Sequence, residues 1–396
     1  MKVLFVTHHY LNENGGGSFA SRSYINAFAG IFEEVTLLYP DNGYSIKHVI
    51  NSSVNTIPVK NKRFMLCKLA DIYRGNIHRY SDVFFKIFNV MKPDLVVFDN
   101  SRTSAGLIKK VALRGVKIIT IHHNFEMQYY LGTPPHWLYR NIFFYYMKKT
   151  EAAAVRHSSL NLTLTNEDIE LLRKHYDKDR MSDFDNIGCF EYKENNISTE
   201  YSDKQIDRQK HTFVITGNLR AYQTEVSLIT FLQDQYPIIL EYYPQSKLII
   251  AGKNPTGKVV SICAKFPNIE LVADPADMRK IIEQGDIYIC PVNVGGGLKL
   301  RIMDGLSFGL PVLAHKVSAR GYDSFVENKI MFVYDDNSSF RQQFIRLMDR
   351  YDSKTISSEL VSSFYHDRFS FHSGVKRLTS ILKRHKIGTL LDRANA

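Results

Sequence analysis

Residues 285–323 read GDIYICPVNVGGGLKLRIMDGLSFGLPVLAHKVSARGYD, and this stretch decides the fold. A short β-branched run, Asp286–Cys290, leads through three glycines into a helical pattern at Arg301–Phe308. A second apolar run follows at Pro311–Ala314. Strand, glycine-rich turn, helix and strand in that order predict a βαβ unit of a parallel sheet. Gly295, Gly296 and Gly297 allow a ligand close to the backbone, and Lys299 and Arg301 put two cations at the helix start. Such a loop suits a diphosphate. Asp304 stands three positions after Arg301 on the same helical face, placed to accept hydrogen bonds from ribose hydroxyls. The plainer alternative is a solvated helix start with an internal Arg301–Asp304 pair.

Outward from that segment, apolar runs and amphipathic stretches alternate along the whole chain. The first half predicts strands at Val3–Thr7, Glu34–Leu38, Asp94–Asp99, Val116–Ile121 and Leu160–Thr165, with helices at Ser18–Ile31 and Thr103–Arg114. The second predicts strands at Thr212–Thr216, Lys247–Ala251, Asn268–Val272, Asp286–Cys290, Pro311–Ala314 and Met331–Val333. Helices are expected there at Glu225–Tyr243, Asp277–Gln284 and Arg301–Phe308. The polar, turn-rich stretch Asp177–Gln209 reads as a linker. Three parts are expected: domains at 1–204 and 205–370, and a basic helical tail at 371–396 that packs back on the first domain. Two doubly wound domains facing each other bring the loops at their strand carboxyl ends to one cleft.

The 396 residues carry 44% hydrophobic and 23% charged side chains, which excludes extensive disorder, and the length suits two cores. Cys67, Cys189, Cys263 and Cys290 are scattered without CxxC spacing, which fits a reduced, cytoplasmic compartment. The opening apolar run, Val3–Val6, is shorter than the apolar core of a signal peptide, about 7–15 residues, or a membrane span, about 20. Membrane contact is therefore expected to be peripheral.

The net charge of +11 is unevenly spread: residues 51–150 hold 16 basic and 5 acidic side chains, residues 151–200 hold 6 and 11. Residues 60–92 interleave eight basic side chains with aromatics and aliphatics, and residues 128–149 are dense in aromatics, Trp137 among them. Basic amphipathic segments of this kind suit an anionic membrane surface on the inner face of the cell membrane. An ordinary basic surface over an aromatic core is the alternative. No RRM, KH, helix-turn-helix or zinc-finger signature points to nucleic acid.

Three further loops carry polar chemistry. Gly15-Gly16-Gly17-Ser18 follows the opening strand and precedes a helix, without GxGxxG or P-loop spacing. Ile121-His122-His123-Asn124-Phe125-Glu126 follows a strand and reads as a hydrogen-bonding pocket rather than a zinc site, since the spacing is not HExxH. The triplets Asp177-Lys178-Asp179 and Asp183-Phe184-Asp185 match a DxD pattern but read as solvated loop charge.

Five segments, in order, resemble the two-domain GT-B fold glycosyltransferases, in particular the retaining family 4 type (glycosyl transferases group 1). They are MKVLFVTHHYLNENGGGSFAS, KIITIHHNFEMQYY, LTLTNEDIELLRKHY, the run from His211 to Pro255, and the 285–323 stretch. The resemblance implies an α/β fold of two Rossmann-like domains with a nucleotide-activated sugar lying across the cleft. It places Gly16 and Gly17 toward the diphosphate or acceptor, and His123 at the transferred sugar in a pocket with Asp99, His122, Asn124 and Glu126. Gly296 and Gly297 belong to the donor loop, Lys299 and Arg301 bind the diphosphate, Asp304 binds the ribose, and Gly217 and Asn218 close the donor pocket. His123, Lys299 and Asp304 carry the catalysis in this reading.

Two positions depart from the family pattern. The paired glutamates spaced E-x7-E fall at Gly296 and Asp304, so the first carboxylate is absent and the second is shorter. The Arg and Lys usual after the strand at Thr212–Thr216 are missing, with Asn218 and Arg220 nearby. Lys299 and Arg301 then take the phosphate role, as in relatives with a GGG-x-K-type loop.

The resemblance implies sugar transfer with retention, in which the departing phosphate oxygen helps deprotonate the acceptor hydroxyl. The protein supplies charge stabilisation and positioning, with no metal or cofactor. The expected partners are a nucleotide sugar, a glycan or lipid-linked acceptor in cell-surface polysaccharide assembly, and an anionic membrane surface. A catalytically silent scaffold subunit and a non-hydrolysing nucleotide-sugar epimerase are the alternatives.

Overall fold

The computed structural model describes residues 1–60, 80–104, 106–131, 137–194 and 210–387. Most of the basic stretch at 60–92, the end of the linker and the last residues of the tail lie outside them. The chain forms two compact units, Met1–Asn195 with Phe369–Ala396, and Asn196–Arg368.

The first unit is built on seven parallel strands in the order β3-β2-β1-β4-β5-β6-β7. They are β1 (Lys2–Thr7), β2 (Glu34–Pro40), β3 (Asn55–Val59), β4 (Leu95–Asp99), β5 (Lys117–His122), β6 (Leu160–Thr163) and β7 (Phe184–Asn186). The central runs VLFV, LVVF and IITI are fully buried, as a sheet covered on both faces requires. The intervening helices are α1 (Gly16–Ile31), α2 (Ser81–Met91), α3 (Ser101–Ser104), α4 (Ile108–Ala112), α5 (Glu126–Leu131), α6 (Trp137–His157) and α7 (Asn166–Tyr176). On one face Leu4, Val6, Phe84, Phe98, Ile108 and Ile118 form the core. Burying each such side chain stabilises the fold by about 1.5–3 kcal/mol.

The second unit holds six parallel strands in the order β10-β9-β8-β11-β12-β13. They are β8 (Thr212–Asn218), β9 (Lys247–Lys253), β10 (Ile269–Ala273), β11 (Ile287–Cys290), β12 (Val312–His315) and β13 (Met331–Tyr334). Its helices are α8 (Tyr222–Thr230), α9 (Tyr236–Tyr242), α10 (Gly257–Cys263), α11 (Arg279–Ile282), α12 (Arg301–Ser307), α13 (Asp323–Glu327), α14 (Asn337–Asp352) and α15 (Ser358–Phe369).

Strand order reverses between β1 and β4 in one sheet and between β8 and β11 in the other, and loops leaving such points are where open α/β sheets bind ligands. The final helix, α16 (Phe371–Arg384), packs on α1 of the first unit. Gly374 lets the same helix lie against the Phe190 ring, because a Cβ there would stand 2.6 Å from Phe190 Cδ1. Arg377 Nε donates to the Ile187 carbonyl at 2.6 Å.

Four features differ from the sequence reading. Strand β3 was not expected, and it contains Pro58, which cannot donate to a ladder and is accommodated because β3 is an edge strand. The three-residue strand β7 lies inside the stretch read as linker, and it closes the opposite edge of the same sheet. The helix expected at Thr103–Arg114 is two short pieces, α3 and α4, separated near Gly106, whose φ is 71°. The helix expected at Glu225–Tyr243 is interrupted by a π turn at Phe231–Gln235. Pro237 stands two residues further on, and its missing N–H and bulky ring disrupt the regular hydrogen-bond ladder.

Candidate functional site

In the second unit the loop after β11 is fastened by side chains from three directions. The Asn293 backbone N–H donates to Ser227 Oγ at 3.0 Å, Ser318 Oγ donates to the Val292 carbonyl at 2.7 Å, and Tyr322 Oη donates to the Lys299 carbonyl at 3.0 Å. Gly295 has φ 96°, and a Cβ there would meet Gln223 Oε1 at 2.6 Å, so conformation and space both call for glycine. Lys299 is buried, and its amine turns back onto the Gly296 carbonyl at 2.7 Å. The buried Gly296 and Gly297 thus lie at the turn that Lys299 braces.

Arg301 reaches the end of β8. Its Nη1 donates to the Thr216 carbonyl at 3.2 Å and its Nη2 to Thr224 Oγ1 at 3.1 Å. The guanidinium lies against Gly217, where a Cβ would stand 2.7 Å from Arg301 Cζ. Glycine at 217 is therefore the space that Arg301 occupies. Gly217 pairs in register with Gly252 of β9, whose own Cβ would collide with the Gly217 carbonyl.

Asn218 is exposed and its Oδ1 accepts the Arg220 backbone N–H at 3.1 Å. Asp304 is exposed on α12, one turn beyond Arg301, while Gly305 lies flush on the Tyr288 ring. A polar cavity of about 520 Å³ opens at the carboxyl ends of β11, β12 and β13, lined by Asn293, His315, Asp335 and Asp336 among others.

In the first unit the carboxyl ends of β1, β4 and β5 assemble a second polar group. Thr7 and Asp99 face each other in register, and Thr7 Oγ1 donates to Asp99 Oδ2 at 2.6 Å. Ser21 of α1 hydrogen-bonds the same oxygen, and His123 Nε2 lies 2.6 Å from Asp99 Oδ1. Burial opposes charge on Asp99, but the imidazole of His123 and the donated hydrogen bonds outweigh it and hold the carboxyl below its ordinary range. The His9 ring stacks on His123 at 5.1 Å and rests over Gly17, where a Cβ would stand 2.8 Å from His9 Nδ1. Burial, then the neighbouring His123, brings His9 down to about 4. Gly16 is the first residue of α1, capped by Gly15 without a side-chain bond.

His122 points elsewhere: its Nε2 pairs with Asn161 Oδ1 at 3.0 Å, and burial lowers its pKa to about 4. Glu126 is buried and tied to Asn100 Nδ2 at 2.9 Å and to Arg102. Burial opposes its charge too, but the Arg102 guanidinium wins and keeps Glu126 ionised. Asn124 is half-buried. The loop carrying these residues hangs from two buried carboxyls on helices. Asp168 Oδ1 accepts the Phe125 N–H at 3.0 Å, and Glu151 Oε1 accepts the Glu126 N–H at 2.7 Å. Burial and the Glu126 charge push the Glu151 carboxyl well above the ordinary carboxylate range, which favours its neutral form.

The structure thus groups Asp99 with His123, and Gly217 with Arg301, each pair within one unit. It sets His122 and Glu126 into separate buried bonds. Sequence reading missed Thr7, His9, Ser21, Arg102, Glu151 and Asp168, and in the second unit Thr224, Gln223 and Tyr322. A signal existed only for His9, at the carboxyl end of the first strand. The DxD triplets serve local structure: Asp177 Oδ1 accepts the Met181 N–H at 3.0 Å, and Asp185 pairs with Arg384 of α16 at 2.7 Å. Among the described residues no group of three or more His, Cys, Asp or Glu is placed to hold a metal ion. None of their helices is long and apolar enough to cross a membrane.

The second unit also has a sequence match. Residues 210–350 match the family model of glycosyl transferases group 1. The matched segment contains Gly217, the 295–301 loop and Asp304. An uncharacterized 44.6 kDa protein in the cps region of Klebsiella pneumoniae is 24% identical over 181 residues, spanning 39% of this chain and 46% of that protein. Among solved structures, Anabaena HepE in complex with UDP superposes with a TM-score of 0.65 at 13% identity, covering 97% of this chain and 100% of that one. The lipopolysaccharide outer core galactosyltransferase WaaB, in its apo form, gives a TM-score of 0.66 at 10% identity over 97% and 99%. At such identities the likeness establishes the fold. It is GT-B.

Proposed function

We propose that the chain is a retaining glycosyltransferase that moves a sugar from a nucleoside-diphosphate donor to a glycan or lipid-linked acceptor in cell-surface polysaccharide assembly. The observation that carries the proposal is the coincidence of the family match with the Gly217–Arg301 contact and the braced 295–301 loop. The relatives named for a cps region, for UDP binding and for lipopolysaccharide galactosyl transfer support the same reading.

In this reading Arg301 and Lys299 stabilise the charge that grows on the departing diphosphate, and no metal is invoked. Arg301 is already oriented by Thr216 and Thr224, so little side-chain freedom is lost when the anion arrives. Lys299 exchanges its bond to the Gly296 carbonyl for one to phosphate. Asp304 takes the ribose, and His123 meets the transferred sugar. Peripheral attachment to an anionic membrane through the basic stretch at 60–92 belongs to the same proposal; sedimentation with neutral and anionic vesicles tests it, and equal partition onto both removes it.

The glycine at position 296, where the family carries its first glutamate, favours a second reading: a sugar-nucleotide-binding subunit without turnover. Calorimetry with UDP and other nucleoside diphosphates, followed by sugar-nucleotide turnover in EDTA, separates the two. Binding without turnover across acceptors selects the second reading. No binding of any nucleoside diphosphate, or unchanged affinity in Lys299→Ala and Asp304→Ala, overturns the donor site.

A further inference from the structure

We infer that Asp99 is a positioning residue that holds His123 by its Nε2–H and so presents Nδ1 as a fixed hydrogen-bond acceptor to a hydroxyl of the bound sugar. The identity of the ligand rests on the proposed glycosyltransferase reading; the state of the ring is a property of the chain alone.

Three observations converge on it. Asp99 is fully buried at the end of β4, between Thr7 and Ile121 in register. Its carboxylate is surrounded by hydrogen-bonding partners: Thr7 Oγ1 at 2.6 Å and the Ser21 hydroxyl at Oδ2, and His123 Nε2 at 2.6 Å at Oδ1. An ionised carboxylate only accepts, so the proton on the bond to His123 belongs to Nε2. A neutral imidazole carries one N–H, and Nδ1 is then left with its lone pair.

The ring is also fixed in space. His9 stacks on it at 5.1 Å with 25° between the planes, and the Tyr24 ring meets it edge-on at 6.1 Å. Tyr24 is anchored in turn, donating from Oη to the Gly188 carbonyl at 2.6 Å. No described residue hydrogen-bonds Nδ1, and Nδ1 is not among the sealed polar atoms. A side chain held on three sides and open at one acceptor atom is arranged to meet a donor from outside. A sugar hydroxyl is such a donor, and a sugar lacking it leaves Nδ1 unpaired.

The pairing has the same logic as carboxylate–imidazole pairs that set a ring's tautomer through one nitrogen while the other meets the substrate. The partner here is a hydroxyl whose proton stays in place, so no proton transfer is assigned to His123.

The test uses the full chain labelled with ¹⁵N-histidine. Long-range ¹H–¹⁵N spectra at pH 8, assigned against His123→Gln, should show His123 with a protonated Nε2 and a bare Nδ1. Asp99→Asn should lose that single tautomer. With a sugar nucleotide that is turned over, kcat/KM in Asp99→Asn should fall about 10- to 100-fold, the loss of one buried hydrogen bond to a polarised group, while affinity for the nucleoside diphosphate alone is unchanged. A proton on Nδ1 in the wild type, or an unaltered tautomer in Asp99→Asn, overturns the inference. If Asp99→Asn does not fold, Thr7→Val and Ser21→Ala each remove one hydroxyl from Asp99 Oδ2 and leave the Oδ1 acceptor in place, so each should keep the Nε2–H tautomer, and a proton on Nδ1 in either variant overturns the inference. A fixed tautomer in a protein that binds no sugar nucleotide supports the pairing and overturns the glycosyltransferase reading.

Discussion

Gly217→Ala is the sharpest perturbation of the second-unit site. The new Cβ would stand 2.7 Å from Arg301 Cζ and 3.1 Å from Nη2, where ordinary contact begins at 3.4 Å. The guanidinium is the far end of a flexible side chain, so it moves rather than the strand, and a retreat of about 1 Å is needed to clear its nearest atom, Nη1. That retreat stretches the bonds to the Thr216 carbonyl and Thr224 Oγ1, now 3.2 and 3.1 Å, beyond useful hydrogen-bond length. Hydrogen bonds to charged groups contribute about 1.5–3 kcal/mol. A nucleoside diphosphate that loses one such bond to a displaced Arg301 should bind about 10- to 100-fold more weakly.

The backbone at Gly217, with φ 156°, adds strain of about 1–3 kcal/mol for a side chain, which lowers stability as well. Titration calorimetry with UDP, well below the unfolding temperature, reads the affinity apart from the stability. Gly257→Ala is the control in the same unit, since nothing lies within 4 Å of its would-be Cβ. Unchanged UDP affinity in Gly217→Ala, with weakened affinity in Arg301→Ala, refutes the argument that this glycine exists to seat Arg301.

Other outcomes follow from the first unit. His9 and His122 both titrate near 4, below the ordinary 6.5, so the unfolded chain binds the extra protons between those values. Stability should therefore fall as pH drops through that window, by up to about 1.4 kcal/mol per unit per histidine. His122→Gln should flatten the slope measured by urea unfolding; an unaltered slope sinks the assignment. Burial favours the neutral form of Glu151, so Glu151→Gln should cost less than about 1 kcal/mol, whereas Glu151→Ala strands the Glu126 N–H and the Tyr176 hydroxyl and should cost about 1–3 kcal/mol. Equal losses in chemical denaturation would contradict the neutral-carboxyl reading. Gly17→Ala should push His9 off its stack on His123 with little effect on folding, seen as a changed His123 ring shift in ¹⁵N spectra. An unchanged shift would show that His9 does not set the ring's surroundings.

The nearly uniform apolar runs at β1, β4 and β5 were legible because a strand buried on both faces has to be apolar throughout. The two strands that were not legible, β3 and β7, are the edges of the same sheet. An edge needs few apolar residues and tolerates Pro58, so its sequence looks like loop. The 285–323 stretch declared its βαβ unit for the opposite reason: three glycines and two cations between apolar runs have few other uses. Sequence spacing also put Lys299, Arg301 and Asp304 on one short segment. It gave no hint that Arg301 would reach Gly217, 84 positions earlier, because that contact depends on β8 and β11 lying side by side.

The chain's own order therefore determined the two parallel sheets and the loops that leave their strands. These follow from local periodicity and from the short connections that βαβ units allow. Only the tertiary structure decided which polar residues are sealed into the fold and which are grouped at the strand ends. His122 and His123 are adjacent in sequence, yet consecutive side chains at a strand end face opposite sides of the sheet. One turns to Asn161 and is sealed in. The other meets Asp99, whose carboxylate is also held by Thr7 of a neighbouring strand, a pairing set by the register of β1 and β4.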